Sequence, residues 1–235
     1  MATTNEHHDV IGSSFAANET VQASIETILS ELKTAQASIT GARPAREGTR
    51  SGARARSEGP MADFSQPTNA ADEGQRNAVV LKVGMVGDAR VGKTTLMVKY
   101  VENKLDEDYI QTLGVNFLEK TVTLRNNDIT FSIWDLGGHR EFLSMLPLVV
   151  NDARALLFMF DLSRRDTLAS IKEWYRQCRG LNRTAHAILV GTKYDIFITL
   201  PPEEREAIDR DARRFARAMK APVVFTSSTE SINVL

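Results

Sequence analysis

A short run with glycine at two fixed positions carries the most specific chemistry in this sequence. Residues 87–94 read GDARVGKT and match the pattern G-x-x-x-x-G-K-[ST]. The glycines let backbone N–H groups curl around phosphate oxygens, and the dipole of the following helix adds positive potential. Lys93 would reach the β and γ phosphates, and the Thr94 hydroxyl would ligate Mg²⁺. The predicted nucleotide contacts of this loop are Gly87, Asp88, Ala89, Arg90, Val91, Gly92, Lys93, Thr94 and Thr95.

Two later motifs indicate which nucleotide binds. A DLGG run begins at Asp135, at the end of a predicted strand, where ligands gather in open α/β sheets. Asp135 can hold the Mg²⁺ shell through water, and Gly138 can bring its N–H to a γ-phosphate. A TKYD run ends at Asp195, whose carboxylate can accept from guanine N1–H and the 2-amino group. Adenine lacks both donors, and the Lys193 stem can cover the base face, so these motifs favour GTP over ATP.

Alternating strands and helices position these motifs. Apolar or alternating runs predict six strands, at 79–86, 115–124, 129–134, 155–160, 186–190 and 222–225. Helical spacing and helix-start signals predict helices at 93–103, at 166–179 and from Pro201 to about Lys220. The predicted inner faces carry Leu168, Ile171 and either Trp174 or Tyr175 in the second helix, and Ile208, Phe215 and Met219 in the third. A turn signal at 125–128 predicts that the second and third strands form a hairpin. The fold class is therefore α/β, a doubly wound and mostly parallel sheet.

Composition excludes several classes of protein. The 235 residues carry a net charge of −1, which gives no whole-chain attraction to nucleic acid. The single cysteine, Cys178, excludes an internal disulfide framework and a multi-cysteine zinc site, and it fits a reducing compartment. No signal peptide, membrane-spanning run or lipidation motif is evident, so we expect no direct membrane anchor.

The first third of the chain differs from the rest. Residues 1–78 are predicted to be a disordered extension, since 41–60 lack Leu, Ile, Val and aromatic residues. A plain linker is favoured there over RNA binding, despite five arginines. Apolar residues from Val21 to Leu32 follow helical spacing, which predicts an amphipathic helix near 20–34. It is either a docking or coiled-coil helix or a transient helix without a role.

The order of motifs in residues 79–235 resembles the Ras-superfamily small GTPases. The strings WDLGGHREF, LPL, SIKEWYRQ and LVGTKYD look like the septum-promoting GTPases of fungi and their relatives. The resemblance implies a six-stranded P-loop G domain that binds GTP and GDP with Mg²⁺ and hydrolyses GTP. It also implies a role in septation, cytokinesis or mitotic exit. The implied protein is a cytoplasmic monomer that recruits an effector protein kinase at the spindle pole body or centrosome, under control of a GTPase-activating protein complex.

The resemblance assigns further roles. Thr112 looks like the switch threonine that binds Mg²⁺ and the γ-phosphate in the GTP form, and Tyr109 like the tyrosine that covers the phosphates. Ser227 and Ser228 look like the last guanine-contacting loop. The γ-phosphate would order residues 105–115 and 136–150. The expected catalytic residues are His139, Lys93, Thr112 and Gly138, and the expected metal-binding residues are Thr94, Thr112 and Asp135.

His139 is the most consequential departure from the family pattern. It follows Gly138, where Ras-like proteins have the glutamine that orients the attacking water. A histidine there either orients water, or leaves a slow switch that is mostly GTP-bound, or takes no catalytic part. We predict slow intrinsic hydrolysis. The alternative is a nucleotide-dependent binding module with little or no turnover, and a more remote one is a P-loop ATPase or kinase.

Three smaller departures concern binding. Thr192 stands where most small GTPases have asparagine, and its shorter side chain is expected to weaken bonding between loops. Leu105 replaces an aromatic beside the base, which predicts weaker stacking. Ala89 replaces a glycine, which is expected to crowd an arginine finger.

The chain stops soon after the last predicted strand. Residues 231–235 look like only the first turn of the C-terminal helix found in small GTPases. Without the rest of that helix, apolar sheet surface of order several hundred Å² would face water. Either the product is truncated or alternatively ended, which we favour, or another chain covers the gap.

Overall fold

The computed structural model describes residues 78–105, 110–124 and 127–234. Six strands are present, at β1 Ala78–Val86, β2 Val115–Leu124, β3 Asn127–Leu136, β4 Ala155–Asp161, β5 His186–Thr192 and β6 Val223–Phe225. A 3₁₀ helix spans Arg140–Met145. The α-helices are α1 Lys93–Glu102, α2 Leu146–Val150, α3 Arg165–Leu181, α4 Tyr194–Phe197 and α5 Pro202–Met219. Residue 78 begins β1, and the predictions for the rest of the extension and for its amphipathic helix lie outside the described residues.

The strands form one sheet in the order β2-β3-β1-β4-β5-β6. Only the pair β2–β3 is antiparallel, and the other neighbours are parallel. This confirms the doubly wound α/β fold with one antiparallel hairpin strand. Residues 127 and 128, predicted as turn, instead belong to β3, because each pairs across the hairpin with β2. At its other end β3 continues to Leu136, so Asp135 lies within the strand.

One face of the sheet carries the larger hydrophobic core. Phe158 and Phe160 of β4 are fully buried there, against α2, α3 and α5. In α3 the buried residues include Ile171 and Trp174, and in α5 Ile208 is buried. These are inner-face residues that helical spacing predicts. The packing holds the start of α3 against the ends of β1 and β4, where the predicted motifs lie.

The other face of the sheet is covered less completely. Met97 of α1 packs there on the central strands, and Val234 joins the same cluster. Phe131, Leu157 and Ile188 are only half-buried on this face. None of the helices in the described part of the chain has the length and apolar character needed to cross a bilayer.

The prediction of a first helical turn at 231–235 is wrong for the residues that the structure describes there. Ser231 and Asn233 have φ values of 55° and 53°, a left-handed conformation that does not propagate a right-handed helix. Ile232 instead forms an antiparallel bridge with Ser227. The Asn233 side chain donates to the carbonyl of Phe225 at 2.8 Å. This segment therefore braces the loop after β6.

Candidate functional site

A cavity of about 580 Å³ opens at the carboxyl ends of the central strands. Most of the residues that line it come from the first predicted loop, from the start of α1 and from the segment before β2. They are Ala89, Arg90, Gly92, Lys93, Thr94, Thr95, Val98, Lys104, Ile110, Gln111, Thr112, Gly138, His139 and Lys193. The structure thus brings residues of three separate motifs to one cavity, at the sheet edge where ligands bind in this architecture.

The loop between β1 and α1 has the backbone that its glycines predict. Gly92 has φ 85° and immediately precedes α1. At Gly87, with φ 149°, an added Cβ would lie 2.2 Å from the carbonyl oxygen of Met159, so a side chain is excluded by both shape and conformation. The first turn of α1 therefore presents its N–H groups to the cavity, which suits an anion such as phosphate.

Lys93 holds a buried ammonium at the centre of this loop. Lys93 as a whole is only 5% exposed to solvent. Its Nζ donates to the carbonyls of Gly87 at 3.0 Å and Asp88 at 2.9 Å. Burial lowers the pKa of Lys93, while the carboxylates of Asp135 and Asp88 act in the opposite direction. A buried cation beside a ring of backbone N–H groups is suited to a polyphosphate chain.

Thr94, Thr112 and Asp135 meet at one point. The two threonine hydroxyls lie 2.6 Å apart. The Thr94 hydroxyl also donates to Oδ2 of Asp135 at 2.5 Å, and the Thr112 hydroxyl lies 3.5 Å from the same oxygen. Three side chains from α1, the segment before β2, and β3 thus place oxygen atoms together, as predicted for a metal site.

These residues fit a magnesium ion. Oδ1 of Asp135 is buried and has no hydrogen-bond partner, which is a costly state for a carboxylate oxygen. Burial raises the pKa of Asp135, opposed by Lys93 and by the two threonine hydroxyls, so a cation at this point would favour the charged form. Mg²⁺ prefers oxygen ligands and, when bound, offsets negative charge on phosphate oxygens. Thr94, Thr112 and Asp135 are the residues that would hold it.

Gly138 packs directly on the phosphate-binding loop. A Cβ added to Gly138 would lie 2.3 Å from the nitrogen of Ala89 and 2.3 Å from the carbonyl carbon of Asp88. Only glycine allows this approach. His139 follows, exposed and in an extended conformation, and its carbonyl accepts from the N–H of Phe142 in the 3₁₀ helix. Both residues line the cavity, and the water-orienting role of His139 stays a prediction.

The predicted base-binding residues also lie close together. Asp195 accepts a hydrogen bond from the Ser227 hydroxyl at 2.6 Å, which fixes the carboxylate. Lys193 has φ 58°, and its Nζ pairs with the buried carboxylate of Asp161 at 2.7 Å. Ser228 follows Ser227 and is half-buried. Of this group only Lys193 lines the cavity, and Asp195, Ser227 and Ser228 lie beyond its lining, so their contact with a guanine base stays a prediction; we call this group the base end of the site.

The short side chain of Thr192 reaches the phosphate-binding loop. Its hydroxyl lies 2.6 Å from the carbonyl of Val91 and 3.0 Å from that of Phe160, and the residue is 5% exposed. β5 carries Thr192 close enough to the phosphate-binding loop for its hydroxyl to reach it, and the expectation that this bonding is weaker than with asparagine stays a prediction. The base end and the phosphate end of the cavity are therefore directly connected.

Some predicted residues are not brought into the cavity. Tyr109 lies outside the described residues. Leu105 is 39% exposed and is not part of the cavity lining. Asp88 and Val91 contribute through their backbone, since the Asp88 carboxylate accepts from Trp174 and the Val91 side chain is buried.

Asp161 and Arg164 are functional positions that the motifs miss. Asp161 accepts from Arg164 at 3.0 Å as well as pairing with Lys193. Arg164 also donates to the carbonyl of Ala89 at 3.1 Å. Asp161 is the last residue of a buried strand, as Asp135 nearly is, and that position is the signal that could have identified it.

The fold and this site together define a P-loop nucleotide-binding protein of the doubly wound α/β class. Comparison with known families narrows the class, because the sequence model of the Ras family matches residues 82–235. The chain therefore belongs to the Ras family, whose members are GTP-binding switches that hydrolyse GTP and use Mg²⁺ with it.

Individual relatives support this assignment. The chain is 63% identical over 162 residues to Septum-promoting GTP-binding protein 1 of Schizosaccharomyces pombe, an alignment that covers 69% of this chain and 82% of that protein. It is 30% identical over 155 residues to the human Ras-related protein Rab-22A, with 66% of this chain and 77% of the relative covered. It is 31% identical over 156 residues to the human Ras-related protein Rab-31, with the same coverage.

Proposed function

We propose that this Ras-family switch regulates septation or cytokinesis, in its GTP form, by recruiting an effector protein kinase under control of a GTPase-activating protein complex. The observation that carries the proposal is the 63% identity to a septum-promoting GTP-binding protein, over 82% of that protein's length. In this proposal the chain acts as a cytoplasmic monomer that partners bring to the spindle pole body or centrosome.

The geometry supports a switch that senses the γ-phosphate. Thr112 belongs to the segment before β2, and Gly138 to the segment after β3. The N–H of Gly137 donates to the carbonyl of Gly114 at 2.8 Å, so the two segments are connected. A γ-phosphate would attract Thr112 through the metal site and Gly138 through its N–H. Loss of that phosphate would release both segments together.

The guanine assignment is tested by nucleotide competition. Fluorescent GDP would be bound to the purified chain with Mg²⁺ and then competed with GTP and with ATP. Displacement by GTP alone is expected, because Asp195 selects the two donors on guanine. Asp195→Ala should remove the preference, whereas Glu203→Ala, an exposed carboxylate at the start of α5, should keep it. Equal displacement by ATP in the unchanged chain would contradict the assignment of Asp195 as the residue that selects guanine.

The cellular role is tested by replacement. Schizosaccharomyces pombe cells depleted of their septum-promoting GTP-binding protein would express this chain with a fluorescent tag. Septum formation should return, and the tag should concentrate at the spindle pole body. Thr94→Val lacks the metal-site hydroxyl and is expected not to restore septa. A chain that binds GTP in vitro but restores no septa would contradict the septation role while leaving the GTP switch intact.

Hydrolysis is the part of the proposal that depends on His139. We propose a slow intrinsic rate, because an imidazole occupies the position beside Gly138 where an amide orients water in Ras-like proteins. A single-turnover measurement would compare the unchanged chain with His139→Gln. A faster variant supports impaired hydrolysis. An equal or slower variant indicates that His139 is adequate or has a catalytic part, and no turnover in either favours a binding module.

A further inference from the structure

Helix α3 reaches across the core to the phosphate-binding loop. The indole Nε1 of Trp174 donates to Oδ1 of Asp88 at 2.8 Å. Trp174 is 7% exposed and belongs to the main hydrophobic core. Arg164, the residue before α3, donates to the carbonyl of the adjacent Ala89 at 3.1 Å. Two consecutive loop residues are thus held by α3 and by the residue that precedes it.

The carboxylate of Asp88 would repel a phosphate bound by this loop. It is a negative charge in a loop whose neighbours form a site for polyphosphate, and two such groups repel each other. The structure shows how the repulsion is limited, because Asp88 faces α3 and is not part of the cavity lining. The buried indole N–H also needs an acceptor, and the carboxylate provides one.

The peptide after Asp88 is where a small displacement would matter. Its carbonyl accepts from Nζ of Lys93 at 2.9 Å. The backbone of Gly138 packs against the same peptide, so closely that an added Cβ would lie 2.3 Å from it. A rotation of Asp88 toward the cavity would therefore disturb the lysine and the glycine that are expected to meet the γ-phosphate.

We propose that Trp174 is a positioning residue for nucleotide binding, which holds the Asp88 carboxylate away from the phosphates. This rests on the GTP-binding role proposed above. Trp174 touches no part of the cavity and acts through Asp88. The effect should be larger for GTP than for GDP, since GTP places an additional charged phosphate beside Gly138.

The test measures dissociation constants for fluorescent GDP and for a fluorescent, non-hydrolysable GTP analogue, with Mg²⁺. Trp174→Phe keeps most of the ring but loses the N–H. It should raise the dissociation constant about ten-fold for the GTP analogue and about three-fold for GDP. Tyr175→Phe is the matched control, because it removes a hydroxyl of the same helix that lies 3.3 Å from the carbonyl of Met219, away from the loop. It should change neither constant.

A second variant separates positioning from loss of packing. Asp88→Asn removes the negative charge, so adding Trp174→Phe to it should change the affinity for the GTP analogue less than two-fold, about 0.4 kcal/mol. The same ten-fold loss in the Asp88→Asn background would overturn the proposal, as would unchanged affinities in Trp174→Phe alone. If the unchanged chain, folded by circular dichroism, binds neither nucleotide, it is the GTP-binding role that fails.

Discussion

Replacing Thr192 by valine should loosen the whole nucleotide site. The substitution keeps the branched shape of the side chain and removes only the hydroxyl. That hydroxyl lies 2.6 Å from the carbonyl of Val91 and 3.0 Å from that of Phe160, in a residue that is 5% exposed. The Val91 carbonyl belongs to the phosphate-binding loop, and Thr192 directly precedes Lys193. The lost contact is therefore one that connects the two ends of the cavity directly.

The expected magnitude follows from burial. Removing one partner of a buried hydrogen bond leaves the other without a partner, which costs about 1–3 kcal/mol. We expect Thr192→Val to lower the free energy of unfolding by about 2 kcal/mol, measured in urea at a fixed, saturating GDP concentration. Dissociation of fluorescent GDP into excess unlabelled GDP should also become faster, because the loop and the base segment no longer hold each other.

Thr199→Val is the control for this comparison. Its hydroxyl donates to the carbonyl of Ile196 at 2.7 Å, but the residue is exposed, so water can replace the bond. The expected loss is within about 0.5 kcal/mol, with unchanged GDP dissociation. If Thr192→Val behaves like Thr199→Val in both assays, the buried hydroxyl does not connect the loops and the reasoning is wrong.

Three further predictions concern a carboxylate, a thiol and a glycine. Burial raises the pKa of Asp161, but hydrogen bonds from Lys193, Ser163 and Arg164 outweigh it and hold the pKa below its usual value. The stability gained is present above about pH 4 and lost as the pH falls through the folded-state pKa. The free energy of unfolding in urea should therefore fall less in acid for Asp161→Asn than for the unchanged chain. Burial raises the pKa of Cys178 to about 12, so maleimide labelling near neutral pH should require unfolding; rapid labelling of the native chain would contradict this. Gly138→Ala places a Cβ 2.3 Å from the nitrogen of Ala89 and should weaken binding of a GTP analogue by about 1–3 kcal/mol, with a smaller effect on GDP; equal effects in competition binding would argue against a GTP-specific contact.

Features set by neighbouring residues could be predicted from the sequence. The run before Gly87 is apolar on both faces, as a central parallel strand requires, and the glycines after it predict the loop. Helix α3 has apolar residues at helical spacing and buries Ile171 and Trp174 as predicted. The order of three motifs along the chain then placed the phosphate and base ends at one sheet edge, because parallel strands bring their carboxyl ends together.

Contacts between distant residues could not be predicted in the same way. Asp88 and Trp174 are 86 residues apart, and Val91 and Thr192 are 101 residues apart. Neither contact follows from spacing, since each depends on how far a strand or helix carries its side chain across the sheet. The conformation of residues 231–234 was missed for a related reason, because their left-handed turns are stabilised by a bridge to Ser227 and not by local helix propensity.

The distant contacts help to fix the backbone of the phosphate-binding loop. In a trans peptide, the carbonyl of one residue and the N–H of the next point in opposite directions. Arg164 holds the carbonyl of Ala89 and Thr192 holds that of Val91, and neither side chain belongs to the cavity lining. The N–H groups of Arg90 and Gly92 therefore point away from these two side-chain donors. Glycine spacing permits this arrangement, but side-chain donors from the β4–α3 connection and from β5 stabilise it, so loss of those donors should weaken phosphate binding even with the motif intact.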